Sequence, residues 1–148
     1  MNKEELNSIL RLHKAWLIGK EFGERANLGG ADLQSAILED SELQGADLRG
    51  ALLQHSNLRG AGLRHSDLRG ADLDYASWPL GCGSLKAYVD DRIAIQLLYH
   101  TLSVVQHSPY VSEDVKAKLL TPGIVSMANR FHRVRECGKI EEWEEGTK

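Results

Sequence analysis

The chain has 148 residues, 42% hydrophobic and 26% charged, which suits one domain or one compact unit with appendages. Eighteen Lys and Arg stand against 21 Asp and Glu, a net charge of −3, so no cationic surplus exists to release counterions from phosphates and direct nucleic-acid binding is not expected. No apolar run approaches the ~20 residues of a bilayer span, no apolar stretch behind Met1 makes a signal peptide, and two cysteines cannot build a disulfide scaffold, so the expectation is a cytoplasmic protein with reduced thiols and no membrane contact.

Residues 3–18 read as an amphipathic helix, with Leu6, Ile9, Leu10, His13, Trp16 and Leu17 on one face. Asn2 followed three residues on by Glu5 is a capping signature, and Gly19 supplies the stop. This helix is expected to cover whatever follows it, the rival being a helix that docks on a partner.

From Leu28, leucine recurs at every fifth position: Leu33, Leu38, Leu43, Leu48, Leu53, Leu58, Leu63, Leu68 and Leu73, with Trp78 in the eleventh slot. Two places before each sits a small residue, as at Ala26, Ala46, Ser56 and Ser66, and between them often a carboxylate or amide. A period of five fits neither a helix of 3.6 residues per turn nor a strand of period two. The remaining solution is a solenoid in which each pentapeptide makes one short side and a bend. Glycine at 30, 45, 50, 60 and 70, where the chain must turn, supports it.

Residues 26–80 resemble the pentapeptide-repeat family, whose motif is Ala-(Asp/Asn)-Leu-X-X. The resemblance implies a mainly β solenoid: a short right-handed quadrilateral β-helix, four pentapeptides per coil, the leucine and the small residue inward. Ile37, Leu52 and Gly62 depart from the motif at the usually polar position, and the repeat stops at Trp78-Pro79. Eleven pentapeptides give fewer than three coils, a rod about 12–15 Å tall at strand spacing. Bare ends would leave backbone groups and the leucine column in water, so caps are required. The expected domains are a capping helix over 1–25, the β-helix over 26–80, and a helical subdomain with an acidic tail over 81–148.

Beyond the repeat, Leu85 to Val89 reads as a short strand. Asp90 caps a helix from Asp91 to His107 that buries Ile93, Ala94, Leu97, Leu98, Thr101, Leu102 and Val105. Ser112 caps a helix through Leu120, and Pro122 opens another with Ile124, Val125, Met127, Ala128 and Phe131 apolar.

For chemistry, Cys82, Cys137, His100, His107 and His132 lack the close pairing of a zinc site, although Cys137 lies five residues past His132. No metal, cofactor or catalytic residue is expected, because no phosphate loop, nucleophile elbow or His-Glu motif is present. The roles of Cys82 and Cys137 stay open between buried or idle thiols and a weak enzyme or ligand site. His55 and His65 fall on solvated corners.

Residues twenty apart stack in successive coils, so Asn27, Asp47 and Asp67 form one ladder and Asp32, Leu52 and Asp72 another, with Asp74 close by and Arg49 over Arg69. The acids of the repeat (Asp32, Glu39, Asp40, Glu42, Asp47, Asp67, Asp72, Asp74) make a candidate partner-binding surface. The bland alternative is a mixed, soluble face with interleaved arginines. The helix–repeat–helix layout resembles small pentapeptide proteins of phages and mobile bacterial elements. That resemblance implies a non-enzymatic inhibitor that docks on and blocks a nucleic-acid-processing or defence complex in the host cytoplasm, an anti-CRISPR protein being one example, by partial nucleic-acid mimicry. The alternatives are a structural unit that forms a homodimer through its C-terminal helices, and a topoisomerase-binding DNA mimic. The short rod and its sparse charge weigh against mimicry of a long duplex.

Overall fold

The computed structural model describes residues 1–79, 87–131 and 139–142. The expectations for Cys82, Cys137, His132, Leu85 and the end of the acidic tail fall outside these. The contacts divide the chain into two units, Met1–Asp90 and Asp91–Lys148.

In the first unit the repeat winds in coils of four pentapeptides. Parallel bridges join Asn27 to Asp47 to Asp67, Asp32 to Leu52 to Asp72, Ile37 to Asn57 to Ser77, and Glu42 to Gly62. Each is a step of twenty residues, and each side of a coil contributes one bridge residue, too little for a strand among the described residues. The bridge residue uses both backbone groups toward the coil below: Asp47 N–H donates to the Ala26 carbonyl at 3.0 Å, and Leu28 N–H donates to the Asp47 carbonyl at 2.8 Å. At the bends, Ser35 N–H donates to the Gln54 carbonyl at 2.8 Å and His55 N–H to the Asp74 carbonyl at 2.9 Å. Each bend is then closed by a bond such as Ala51 N–H to the Leu48 carbonyl, at 3.1 Å. The polar backbone is satisfied between coils, which lets the interior be dry.

That interior is the leucine column. Every leucine from Leu28 to Leu68 in the fivefold series is at most 2% exposed, and Leu73 is 5%. Ala46, Ala51, Ser56, Ala61, Ser66 and Ala71 are buried beside them. Trp78, which the spacing puts in the eleventh inward slot, is only half-buried, while Pro79 next to it is fully buried. An indole exceeds a slot sized by leucine. Past the repeat, Tyr88 adds one further parallel bridge to Asp67.

Helix α1 (Lys3–Leu17) is capped by the Asn2 side chain, which accepts the Glu5 N–H at 2.8 Å. It lies against the first coil: His13 Nδ1 accepts the Ala26 N–H at 3.0 Å, Glu24 N–H donates to the Leu12 carbonyl at 3.1 Å, and Lys14 pairs with Glu42 at 3.1 Å. Leu6, His13 and Ala15 are buried. Trp16, expected on the buried face, is 41% exposed, because its ring stacks on His13 and rests along the bend at Gly45. A Cβ on Gly23 would fall on the Trp16 backbone, so only glycine lets the chain pass this close to the helix.

The second unit holds α2 (Asp91–His107), α3 (Glu113–Leu119) and α4 (Pro122–Ala128). Its core joins Tyr99, Leu102, Val105, Leu120, Val125, Ala128, Phe131 and Ile140. The buried stripe of α2 is Ile93, Gln96, Tyr99, Leu102 and Val105; Ala94 and Thr101, expected inside, are exposed. Tyr99 shifts the stripe because its ring packs on Phe131 at 4.7 Å. On α4, Met127 is likewise 51% exposed. The Ser112 hydroxyl accepts the Val115 N–H at 3.4 Å at the start of α3, and Pro122 opens α4. Asn129 exchanges two hydrogen bonds of 2.9 Å with the backbone of Ile140, tying residues 139–142 to this core.

Two substitutions test the column. Leu48→Ala deletes a fully buried side chain between two coils and is expected to cost about 2–5 kcal/mol. Ser56→Ala is expected to be neutral or stabilising, because the Ser56 hydroxyl is buried with no hydrogen-bond partner, whereas Ser66 Oγ donates to the Leu63 carbonyl at 2.7 Å. Thermal melts followed by circular dichroism read both.

Candidate interaction surface of the coils

The polar position of each pentapeptide has a local task. Its side-chain oxygen accepts the backbone N–H two residues on: Asp32 from Gln34 at 3.1 Å, Asp47 from Arg49 at 3.1 Å, Asn57 from Arg59 at 3.1 Å, Asp67 from Arg69 at 3.2 Å and Asp72 from Asp74 at 3.1 Å. These bonds satisfy an amide that the bend would otherwise leave to water, which is why Asp and Asn suit the position.

On the first side, arginine follows aspartate up the ladder. Arg49 forks onto Asp47 at 2.9 and 2.5 Å and reaches Asp67 in the coil above at 3.9 Å, and Arg69 forks onto Asp67 at 2.9 and 2.6 Å. The Arg49 guanidinium, hydrogen-bonded to Asp47, pulls that carboxyl from its ordinary 3.8 down to about 2. Arg69 lowers Asp67 in the same way. On the third side Arg59 pairs with Glu39, which also accepts from Asn57 Nδ2 at 3.0 Å. Glu42 is held by Lys14 of α1.

Four of the eight expected partner-binding acids, Glu39, Glu42, Asp47 and Asp67, are therefore in ion pairs made within this unit. Asp32 and Asp72 serve the bends, and Asp72 also accepts from Gln54 Nε2 at 2.8 Å. Asp40 stands exposed at a bend with its carboxylate over Gly60, where a Cβ would overlap it. Asp74 is half-buried. The structure does not gather the eight into one patch of bare negative charge. The first side presents alternating charge, which the twenty-residue stacking of Arg49 on Arg69 already implies.

A different feature stands out at the bends. All ten bend residues from Gly30 to Tyr75 have positive φ, five of them glycine. The bend column Gly30–Gly50–Gly70 is glycine throughout. The column Ser35–His55–Tyr75 has none, at φ of 56°, 60° and 60°. Left-handed backbone costs a non-glycine residue roughly 1–2 kcal/mol. His55 and Tyr75 put the position to use: their rings stack at 4.8 Å and 6°. Tyr75 is 60% exposed, and beside this column stand the two apolar departures from the motif, Ile37 at 77% and Leu52 at 37%. The fivefold spacing places His55 on a solvated corner and does not mark Tyr75 as functional. The same step of twenty that aligned the acids sets His55 under Tyr75.

Among the described residues no three of His, Cys, Asp and Glu come together as a metal-binding group, and no helix is long and apolar enough to cross a membrane. His100 packs edge-on against Phe131, and His107 Nδ1 lies 2.8 Å from the Ser103 carbonyl.

Residues 24–54 and 46–77 match the family model for pentapeptide repeats, in eight copies. That segment is built of pentapeptide repeats, and such a segment is a protein-interaction or structural module. No curated protein matches the sequence.

Asp47 and Asp67 make a pH prediction. Because their folded values are lowered, the stability they carry is complete above 3.8 and is lost as pH falls through the folded values, near 2 for Asp47. Asp47→Asn is expected to flatten the acid limb of stability between about pH 4 and about pH 2, read from urea melts at each pH.

Proposed function

We propose that the chain is a non-catalytic protein-binding module that docks on and blocks a nucleic-acid-processing or defence complex. The parallel rungs support a right-handed four-sided β-helix as its scaffold, right-handed crossover being the sense that twisted parallel backbones favour. The observation that carries docking is the Ser35–His55–Tyr75 column. Strained backbone is retained at three successive levels, and the strain holds an exposed aromatic stack between two exposed aliphatic side chains on a rigid support. Aromatic groups of this kind anchor protein interfaces. The ion pairs along the first side argue for contact through this corner over imitation of a phosphate line. The choice of a nucleic-acid-processing or defence complex rests on the likeness of layout to small phage proteins, anti-CRISPR proteins among them.

The test is the double variant His55→Ser, Tyr75→Ser, since Ser35 already occupies the lowest level of the same column. The wild-type chain is expected to form a stoichiometric complex with a partner from its source cells and to suppress that partner's nucleic-acid binding. The variant is expected to keep its melting temperature and lose at least about tenfold in affinity, the effect of removing ~1.4 kcal/mol of contact. Unchanged affinity excludes this corner. A homodimer through the helical unit is the second reading, favoured by Val104 at 67% exposure in line with exposed Ala94 and Thr101. Light scattering that finds a tight dimer, with no partner captured, selects it.

A further inference from the structure

The N-terminal helix is fastened by an unusual bond. His13 is completely buried, and its Nδ1 accepts the N–H of Ala26, the residue whose carbonyl receives the first rung of the coil above. Its ring lies on Trp16 at 5.3 Å and 14°. The other nitrogen, Nε2, is buried with no hydrogen-bond partner. A nitrogen that accepts must carry a lone pair, so the bond requires neutral imidazole with its hydrogen on Nε2. Besides the Glu24 N–H on the Leu12 carbonyl at 3.1 Å, α1 and its cap are tied down by two contacts open to water, the Met1 ammonium to the Asp32 carbonyl at 3.1 Å and Lys14 to Glu42. Leu6 and Ala15 are the other buried residues of α1.

We propose that His13 is an acid-sensitive latch: protonating its ring releases α1 from the first coil and uncovers the coil's end. An imidazolium sets N–H against N–H across the 3.0 Å contact with Ala26 and puts a net charge in the dry interior. Asn27, Ile37 and Glu42 stand at that end in the place that Asp47, Asn57 and Gly62 hold one coil up, and their backbone N–H and C=O groups make no hydrogen bond among the described residues. Release therefore uncovers the bottom of the leucine column, where Leu28, Leu33, Leu38 and Leu43 are at most 2% exposed, beside this unpaired backbone edge.

The charged surroundings agree. Burial lowers the His13 pKa from 6.5 and is the largest influence. The nearby Gln44 backbone, which makes no well-formed hydrogen bond to Nε2, opposes it; Arg25 adds to the lowering, and Glu42 opposes again. Lys14, on the helix itself, is paired with Glu42. Exposed Glu24 meets α1 through its backbone N–H on the Leu12 carbonyl. With the folded value lowered, docking is at full strength above 6.5 and weakens as pH falls below it.

The test is amide hydrogen exchange on the whole chain at about pH 7.5 and about pH 5, corrected for intrinsic rates. Protection of α1 and of the Ala26 amide is expected to fall in acid, by up to about tenfold for each unit by which the folded His13 value lies below the unfolded one. Leu53 and Leu58, deep in the column, are expected to hold their protection. His13→Asn places an amide oxygen near the Nδ1 position and cannot titrate, so its helix is expected to keep the same protection at both pH values. Carbon chemical shifts of the wild-type His13 ring, followed across the same range, are expected to change together with helix release. The proposal is overturned by wild-type α1 protection that ignores pH, by acid release that persists in His13→Asn, or by a ring that becomes charged while α1 stays protected.

Discussion

The first unit depends on one constraint: each residue must meet its counterpart twenty positions along the chain. The backbone pairing enforces it from outside and the leucine column from inside. Asp47 can bond to Ala26 and Leu28 only if every pentapeptide between them consumes the same length of chain. Each leucine then lands on the axis with others above and below. Adding one residue to any side would break the rungs beyond it and rotate the following leucines outward, so pairing and burial fail together. Cooperativity of this kind lets short coils stand without an extended strand.

The same constraint shapes the surface. A bend closed with left-handed backbone leaves an amide seeking an acceptor, and an aspartate or asparagine two residues earlier provides one. An arginine two residues after that aspartate finds a carboxylate already held in place. Asp47 with Arg49 and Asp67 with Arg69 are thus consequences of building bends, and they neutralise the side they decorate. Exposed pairs of this sort contribute little energy each, but they decide what the surface looks like to a partner. Distinctiveness falls to places where the bend chemistry is not followed: Ile37 and Leu52 at the polar position, and the glycine-free column that stacks His55 under Tyr75.

Of the candidate site, the sequence made the ladders legible because a fixed step turns position into geometry. It made Arg49 over Arg69 legible for the same reason. It did not reveal that half of the acids would be paired, since side chains such as Glu39 reach diagonally into the neighbouring coil and meet Asn57 and Arg59 there. The helical unit was legible in its boundaries, where Ser112 and Pro122 act locally. Its buried face was not: Ala94 and Thr101 share a plausible apolar stripe, but the ring of Phe131 draws Tyr99 inward and turns the helix by part of a turn.

What the sequence determined by itself was whatever follows from spacing along one chain: the coils, the inward leucines, the bends, and a capped helix at the start of the chain. What only the tertiary structure decided was how individual side chains met groups remote in sequence. His13 could be placed on the apolar face of α1 by its period, but nothing in that period says that its ring accepts the amide of Ala26 and is kept neutral by burial. A repeat encodes its own neighbours, because each contact recurs at a fixed step. A contact made once, between a helix and a coil or between two helices, is written in no period, and packing in three dimensions alone selects it.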